Sequence, residues 1–357
     1  MPVRVVRVGG GSAFRRLAPA LAVVLLAAPQ SLFAQAPSVS VGGGVQTSYV
    51  HSSPDDSDDT DEFPLNSVRL YVSGTAAPNI KIMFNTAYSG ATNAIGVLDA
   101  AAQFEFSPHV NIWAGRFLPP SDRANMYGAY YANHWSTFTD GVQDGYPFVS
   151  GGRDNGVIYW GQFSKVKVSG GAFDGKTATG DDTVLTAGRL QVDFWDQEAG
   201  YYLNGSYYGD KNLLAVGLAG QVQGSDKSAW TADFLLEKKL GTSGTVSVES
   251  EYANYSKLGG YNANYEESDG GYVLGAYLFP KPSGIGTFQL LGKFAKATFE
   301  NGLHVDNIDY DQKTTEFDVN YVIKQFNARV MFFFKNTDFS AVQKDFKQVG
   351  VGLQLQM

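Results

Sequence analysis

Gln348-Val349-Gly350-Val351-Gly352-Leu353-Gln354-Leu355-Gln356-Met357 is the stretch whose reading decides the fold. Val349, Val351, Leu353, Leu355 and Met357 share one parity; the glutamines and glycines share the other. Successive side chains of a strand point to opposite faces, so this is a strand with one apolar and one polar face. The alternation recurs. Val68, Leu70 and Val72 oppose Ser67, Arg69 and Tyr71; Ile80, Ile82 and Phe84 oppose Lys81, Met83 and Asn85. Leu190, Val192 and Phe194 oppose Arg189, Gln191 and Asp193; Ala328, Val330, Phe332 and Phe334 oppose Asn327, Arg329 and Lys335. A long series of such strands is the sequence form of a transmembrane β-barrel, apolar outward and polar inward. A soluble sandwich shows the same alternation, so the export signal, the strand number and the loop asymmetry must separate the two.

Residues 1–34 read as a secretory signal: Arg4, Arg7, Arg15 and Arg16 form a basic start and Leu17 to Ala28 an apolar run. Cleavage after Ala34 is expected, because Pro37 would directly follow a cut after Ala36. The apolar run is short of the roughly 20 residues a spanning helix needs. Residues 35–357 are then one domain. The chain holds 27 Lys and Arg against 35 Asp and Glu; losing four arginines with the signal leaves 23 against 35, a net charge of −12. An acidic balance gives no reason to expect nucleic-acid binding. There is no cysteine, hence no disulfide framework and no thiolate metal site.

Short connections such as Ala77-Pro78-Asn79, Ser107-Pro108-His109 and Lys324-Gln325 alternate with longer polar ones, as in outer-membrane barrels. Both termini should be periplasmic, so the strand number must be even. A plain count gives seventeen, because 201–208 and 213–223 both look like strands. Placing 196–212 in one long periplasmic connection gives sixteen. Residues 51–64 become the first external loop. Its acidic run, Asp55, Asp56, Asp58, Asp59, Asp61 and Glu62, offers oxygen ligands for calcium but not at EF-hand spacing, and reads rather as a solvated loop.

Residues 118–156 are the longest segment without alternation, and third among the external loops. Tyr127, Tyr130, Tyr131, Trp135, Phe138, Tyr146 and Phe148 make it too aromatic for disorder. The expectation is a loop folded into the lumen, where charges set selectivity because a narrow passage focuses fields. Arg123 and Arg153 would attract anions; Asp122, Asp140, Asp144 and Asp154 would attract cations. The plainer alternative is that Arg–Asp pairs merely pin the loop to the wall. By parity the wall gives the lumen Arg69, Lys81, Lys167, Arg189, Lys293, Arg329 and Lys335, together with Asp99, Glu105, Asp193, Asp233, Glu249, Glu251, Glu316 and Asp318.

Three motifs, Gly115-Arg116-Phe117-Leu118-Pro119-Pro120-Ser121-Asp122-Arg123-Ala124-Asn125, Tyr130-Tyr131-Ala132-Asn133 and Gly152-Arg153-Asp154-Asn155-Gly156, resemble the phosphate-selective porin O/P family of Gram-negative bacteria. So do Tyr159-Trp160-Gly161-Gln162, Gly171-Ala172-Phe173-Asp174-Gly175 and Ala187-Gly188-Arg189-Leu190. The resemblance implies sixteen-stranded, usually trimeric diffusion channels whose third external loop folds into the pore, with basic residues along the path in anion-selective members. The mixed charges of this wall depart from that last pattern.

Four histidines, His51, His109, His134 and His304, show no metal-ligand spacing, and no nucleophile elbow or phosphate-binding glycine loop appears. No chemistry, cofactor or metal is expected. The sequence reads as an all-β, sixteen-stranded outer-membrane porin, exported through the periplasm and set in bilayer and lipopolysaccharide as a homotrimer. Small hydrophilic solutes or ions would diffuse through it passively, anions such as phosphate among them. The alternative is a surface barrel with an adhesive or structural role and a plugged pore.

Overall fold

Alternation becomes structure over most of the chain. The strands are β1 (Ser38–Pro54), β2 (Thr60–Glu62), β3 (Leu65–Ala77), β4 (Ile80–Ser89), β5 (Ala94–Ser107), β6 (Val110–Phe117), β7 (Asp154–Phe163), β8 (Val166–Phe173) and β9 (Leu185–Asp193). They continue as β10 (Leu213–Gln223), β11 (Lys227–Lys239), β12 (Thr245–Ser256), β13 (Tyr265–Leu278), β14 (Thr287–Gly302), β15 (Tyr310–Lys324), β16 (Ala328–Phe339) and β17 (Phe346–Gln356). This computed structural model describes residues 38–89, 93–135, 139–142, 152–175, 183–257, 264–304, 308–341 and 343–357. The signal segment 1–34 and Phe138, Asp144, Tyr146 and Phe148 lie outside the described residues.

Every long strand pairs antiparallel with its neighbours in sequence, and β1 pairs with β17 to close the ring. The result is an up-and-down barrel of sixteen long strands, the number expected. The seventeenth strand, β2, adds three residues to the rim of β1 within the acidic loop. Strand β9 pairs directly with β10, Asp193 facing Ala215, so 194–212 is a connection and 201–208 is not a wall strand.

Both ends of the described chain lie at one end of the barrel, called here the near end. Tight turns there use left-handed residues at Asn79 (φ 63°), Ser164 (φ 54°) and Gln325 (φ 44°). The outward face is apolar: Val349, Val351, Leu353 and Leu355 are 51%, 36%, 39% and 49% exposed, while Gly350, Gly352 and Gln354 between them are buried. Outward tyrosines and tryptophans gather toward the rims, some with a phenylalanine beside them. Phe288 and Tyr321 (centroids 5.1 Å apart) and Tyr277 and Phe279 (5.1 Å) stand at the near end; Trp230 and Tyr252 (5.3 Å) stand toward the far one. A greasy band between aromatic girdles is what a sheet shows to lipid. Among the described residues no helix is long and apolar enough to cross a membrane.

Candidate functional site

Polar side chains that alternation sends inward meet two segments of the chain there, one from each end of the barrel. From the far end comes the segment after β6. Asp122 caps a single helical turn, α1 (Arg123–Tyr127), accepting from the Asn125 N–H at 3.0 Å. Gly128 ends it with φ 65°. The Tyr127 and Tyr272 hydroxyls both donate to Glu249 Oε1, at 2.8 and 2.6 Å. Beyond α1, the backbone is held by wall side chains. Gln354 Nε2 donates to Tyr130 O (2.9 Å), Arg329 Nη1 to Ala132 O (2.7 Å) and Asn320 Nδ2 to Asn133 O (3.2 Å). Trp135 N donates to Asp318 Oδ2 (3.3 Å), and Lys293 Nζ reaches Asp140 Oδ2 at 2.5 Å.

From the near end comes 194–212. Glu198 is fully buried and ion-paired with Arg123 through both guanidinium Nη atoms. It also accepts from Gln191 Nε2 (2.8 Å) and Tyr207 Oη (3.0 Å). Burial raises the Glu198 carboxyl, but Arg123 and Lys167 outweigh it and hold it below the usual carboxylate value. Burial likewise opposes the charge on Arg123, and the carboxylates of Glu198, Asp233 and Glu249 keep that guanidinium firmly protonated.

Inward positions on most of the wall are therefore sealed. Ala229, Thr231, Asp233, Leu235 and Glu237 of β11 are buried, as are Gln289, Leu291, Lys293, Ala295, Ala297 and Phe299 of β14. The inward face of β3 and β4 differs. Arg69, Tyr71, Met83 and Asn85 are half-exposed and Lys81 is exposed. Arg69 lies over the Tyr130 ring, 4.8 Å from its centroid. Lys81 pairs with Glu105 at 2.5 Å, and Trp113 Nε1 donates to Glu105 at 3.3 Å. Arg153 sits at the edge of this face with Nε 3.2 Å from Asp99 Oδ1. Burial pulls the Arg153 guanidinium below its ordinary value while Asp99 pulls it back up.

The nine residues that the sequence nominated for selectivity separate accordingly. Arg69, Lys81 and Arg153 border the solvated side. The other six lie in sealed surroundings, which corrects their expected place on a wetted surface. Arg189 makes a bidentate pair with Asp233 (2.5 and 2.8 Å). Lys293 meets Asp140 and also His134 Nε2 at 3.1 Å. Arg329 spans Ala132 O and Gln354 Oε1 (2.9 Å). Asp122 is the helix cap, and Asp154 accepts from the N–H groups of Asn155 (2.7 Å) and Gly175 (2.8 Å). Arg123 is spent on Glu198. For Arg123, Arg189, Lys293 and Arg329 the plainer reading applies, since their charges fasten inserted chain to wall, while Asp122 and Asp154 hold backbone N–H groups. The sequence reading missed Glu198 altogether. The signal was present in the aromatic density of Tyr201, Tyr202, Tyr207 and Tyr208, high for a connection lying in solvent.

Barrel and interior together define the class: a sixteen-stranded antiparallel barrel of the outer-membrane porin type. No family model matches the chain and no curated protein matches it. Solved structures do. An anion-selective porin from Comamonas acidovorans is similar with TM-score 0.60 and 14% identity, over 90% of this chain and 100% of that one. A loop-L8 deletion mutant of OmpT, an outer membrane protein of Vibrio cholerae, gives TM-score 0.57 and 13% identity, over 90% and 100%. OpdL of Pseudomonas aeruginosa gives 0.52 and 8%, over 90% and 99%. At these identities the likeness is one of fold.

Proposed function

We propose that this chain is an outer-membrane porin of a Gram-negative bacterium, carrying small hydrophilic solutes passively and doing no chemistry. The observation that carries the reading is the half-solvated inward face of β3 and β4, bordered by Arg69, Lys81 and Arg153 within an otherwise sealed barrel. The near end is periplasmic, the far end external, and residues 1–34 are the export signal. Three cations stand there against Asp99 and Glu105, an excess of one positive charge, so small anions are the favoured solutes and phosphate is one to test. A homotrimer with lipopolysaccharide around the far rim is the assembly proposed. The sealed interior along β9–β16 favours a second reading, a plugged surface barrel with an adhesive or structural role.

Conductance separates the two. Refolded protein in a planar bilayer should give discrete steps, with a reversal potential under a salt gradient that reports anion preference. Arg69→Gln with Arg153→Gln should move that potential toward cations. An unmoved potential in a folded double variant would take both residues out of the path, and insertion without any conductance would favour the plugged barrel. The outward face has its own test. Val351→Arg on β17 should weaken folding into liposomes by about 2–4 kcal/mol if the site lies near the bilayer midplane. A loss no larger than at a loop position would mean that this face does not meet lipid.

A further inference from the structure

The two inserted segments touch each other as well as the wall. Besides the Arg123–Glu198 pair, Arg123 Nη1 donates to Asn204 O (3.1 Å), Leu203 N to Met126 O (3.2 Å) and Gly205 N to Tyr131 O (2.8 Å). Tyr201 Oη donates to Leu118 O (2.8 Å). Residues from opposite ends of the barrel thus share a short hydrogen-bonded seam around one ion pair, both partners of which are 0% exposed at the side chain. The far-end segment then continues to Tyr130 and Tyr131. Tyr130 is the ring beneath Arg69, so the seam is mechanically continuous with the solvated side.

We infer that the 194–212 connection is a clamp on the 118–135 segment, and that Glu198 is the positioning residue through which the near end sets the width of the β3–β4 passage. Glu198 touches no solute. It acts by taking both Nη groups of a buried guanidinium; without it Arg123 keeps only the Asn204 carbonyl and Asp233, 3.6 Å from its Nε, and the seam loses its central tie. Lys167 fixes the clamp in turn, donating to Glu198 O and Gly200 O, each at 2.9 Å. Glu237 anchors the far side of the connection, accepting from Ser206 Oγ (2.9 Å), Tyr207 N (2.9 Å) and Gly209 N (2.7 Å). Both anchors leave Glu198 presented to Arg123 with no freedom to swing away. The consequence is that passage through the barrel is governed by an element on the side opposite the loop that narrows it.

This inference rests on the porin reading only for its conductance arm. The chain has no cysteine, so Met126→Cys with Leu203→Cys introduces the only thiol pair and reports contact between the segments directly. In the otherwise wild-type barrel that pair should oxidise readily; with Glu198→Ala added, oxidation should be lost. In planar bilayers Glu198→Ala should lose the uniform wild-type step in favour of larger, flickering openings. Glu198→Gln, which keeps the shape, stands in if the alanine variant does not fold. A folded Glu198 variant with wild-type steps and wild-type oxidation overturns the clamp. A wild-type protein that inserts but never conducts overturns the porin reading instead, and the thiol result alone then decides the clamp.

Discussion

Asp233→Ala should lower the stability of the barrel by about 3–5 kcal/mol, the loss expected when one partner of a buried ion pair is removed. Asp233 serves two cations at once. It takes the bidentate fork of Arg189, and Arg123 Nε lies 3.6 Å from its Oδ1. Without it, Arg189 keeps the Ser121 carbonyl (3.1 Å) and a long contact to Gln191 Oε1 (3.4 Å), neither a counter-charge. Gly217 faces Asp233 across β10 and β11, and a Cβ there would come within 2.6 Å of Asp233 Oδ1 and closer still to Arg189 Nη2. The wall has therefore left a space shaped for this pair. Urea-induced unfolding in detergent micelles measures the loss. The Lys81–Glu105 pair, with side chains 49% and 21% exposed, sets the scale for comparison, since exposed pairs contribute about 0.2–1 kcal/mol. An Asp233→Ala loss no larger than that would show that water reaches the fork.

Gly352→Leu should dislodge the end of the inserted segment. Gly352 lies on the inward face of β17, and a Cβ there would sit 2.6 Å from three atoms of the Trp135 indole. Trp135 in turn stacks on Phe333, with ring planes 11° apart and centroids 6.3 Å apart. Phe333 is buried beneath it, and the Trp135 backbone N–H is tied to Asp318. Overpacking of this kind costs about 1–3 kcal/mol, and here the segment's exit from the wall is the available relief. A red shift in Trp135 emission, isolated as the difference from a Trp135→Phe protein, reports that exit. Unchanged emission in a folded Gly352→Leu protein would mean that the strand bends instead.

Gly352 also shows where the sequence stopped being legible. Alternation in Gln348 to Met357 gave the face of every residue correctly, because the period of a strand is a local property. The parity rule found the inward charges of β9, β11, β12 and β14, and the even-number rule placed 196–212 outside the wall. What a face looks onto is not local. An inward glycine beside water and one beneath an indole read alike, and Arg123 on water reads like Arg123 on Glu198, 75 positions away. The expectation of a wetted wall was reasonable for Arg69 and Lys81, whose neighbours on β3 and β4 keep solvent. It failed for Arg189, Lys293 and Arg329, whose partners come from distant chain.

Closure of the ring has a consequence for how the protein is made. Gly44 is the register partner of Gln356, and Gly43 and Met357 exchange both backbone hydrogen bonds, 3.1 and 2.9 Å. The first strand thus finds its second neighbour only when the last has emerged. Until then each growing sheet carries two unsatisfied edges, the condition under which strands recruit strangers. A bilayer offers no water to satisfy those edges, so an open-edged partial sheet is not a stable state within it. The loss of chain entropy in joining residues over 300 apart falls in a single late event. An unfinished chain therefore has to keep both edges covered until β1 and β17 have met.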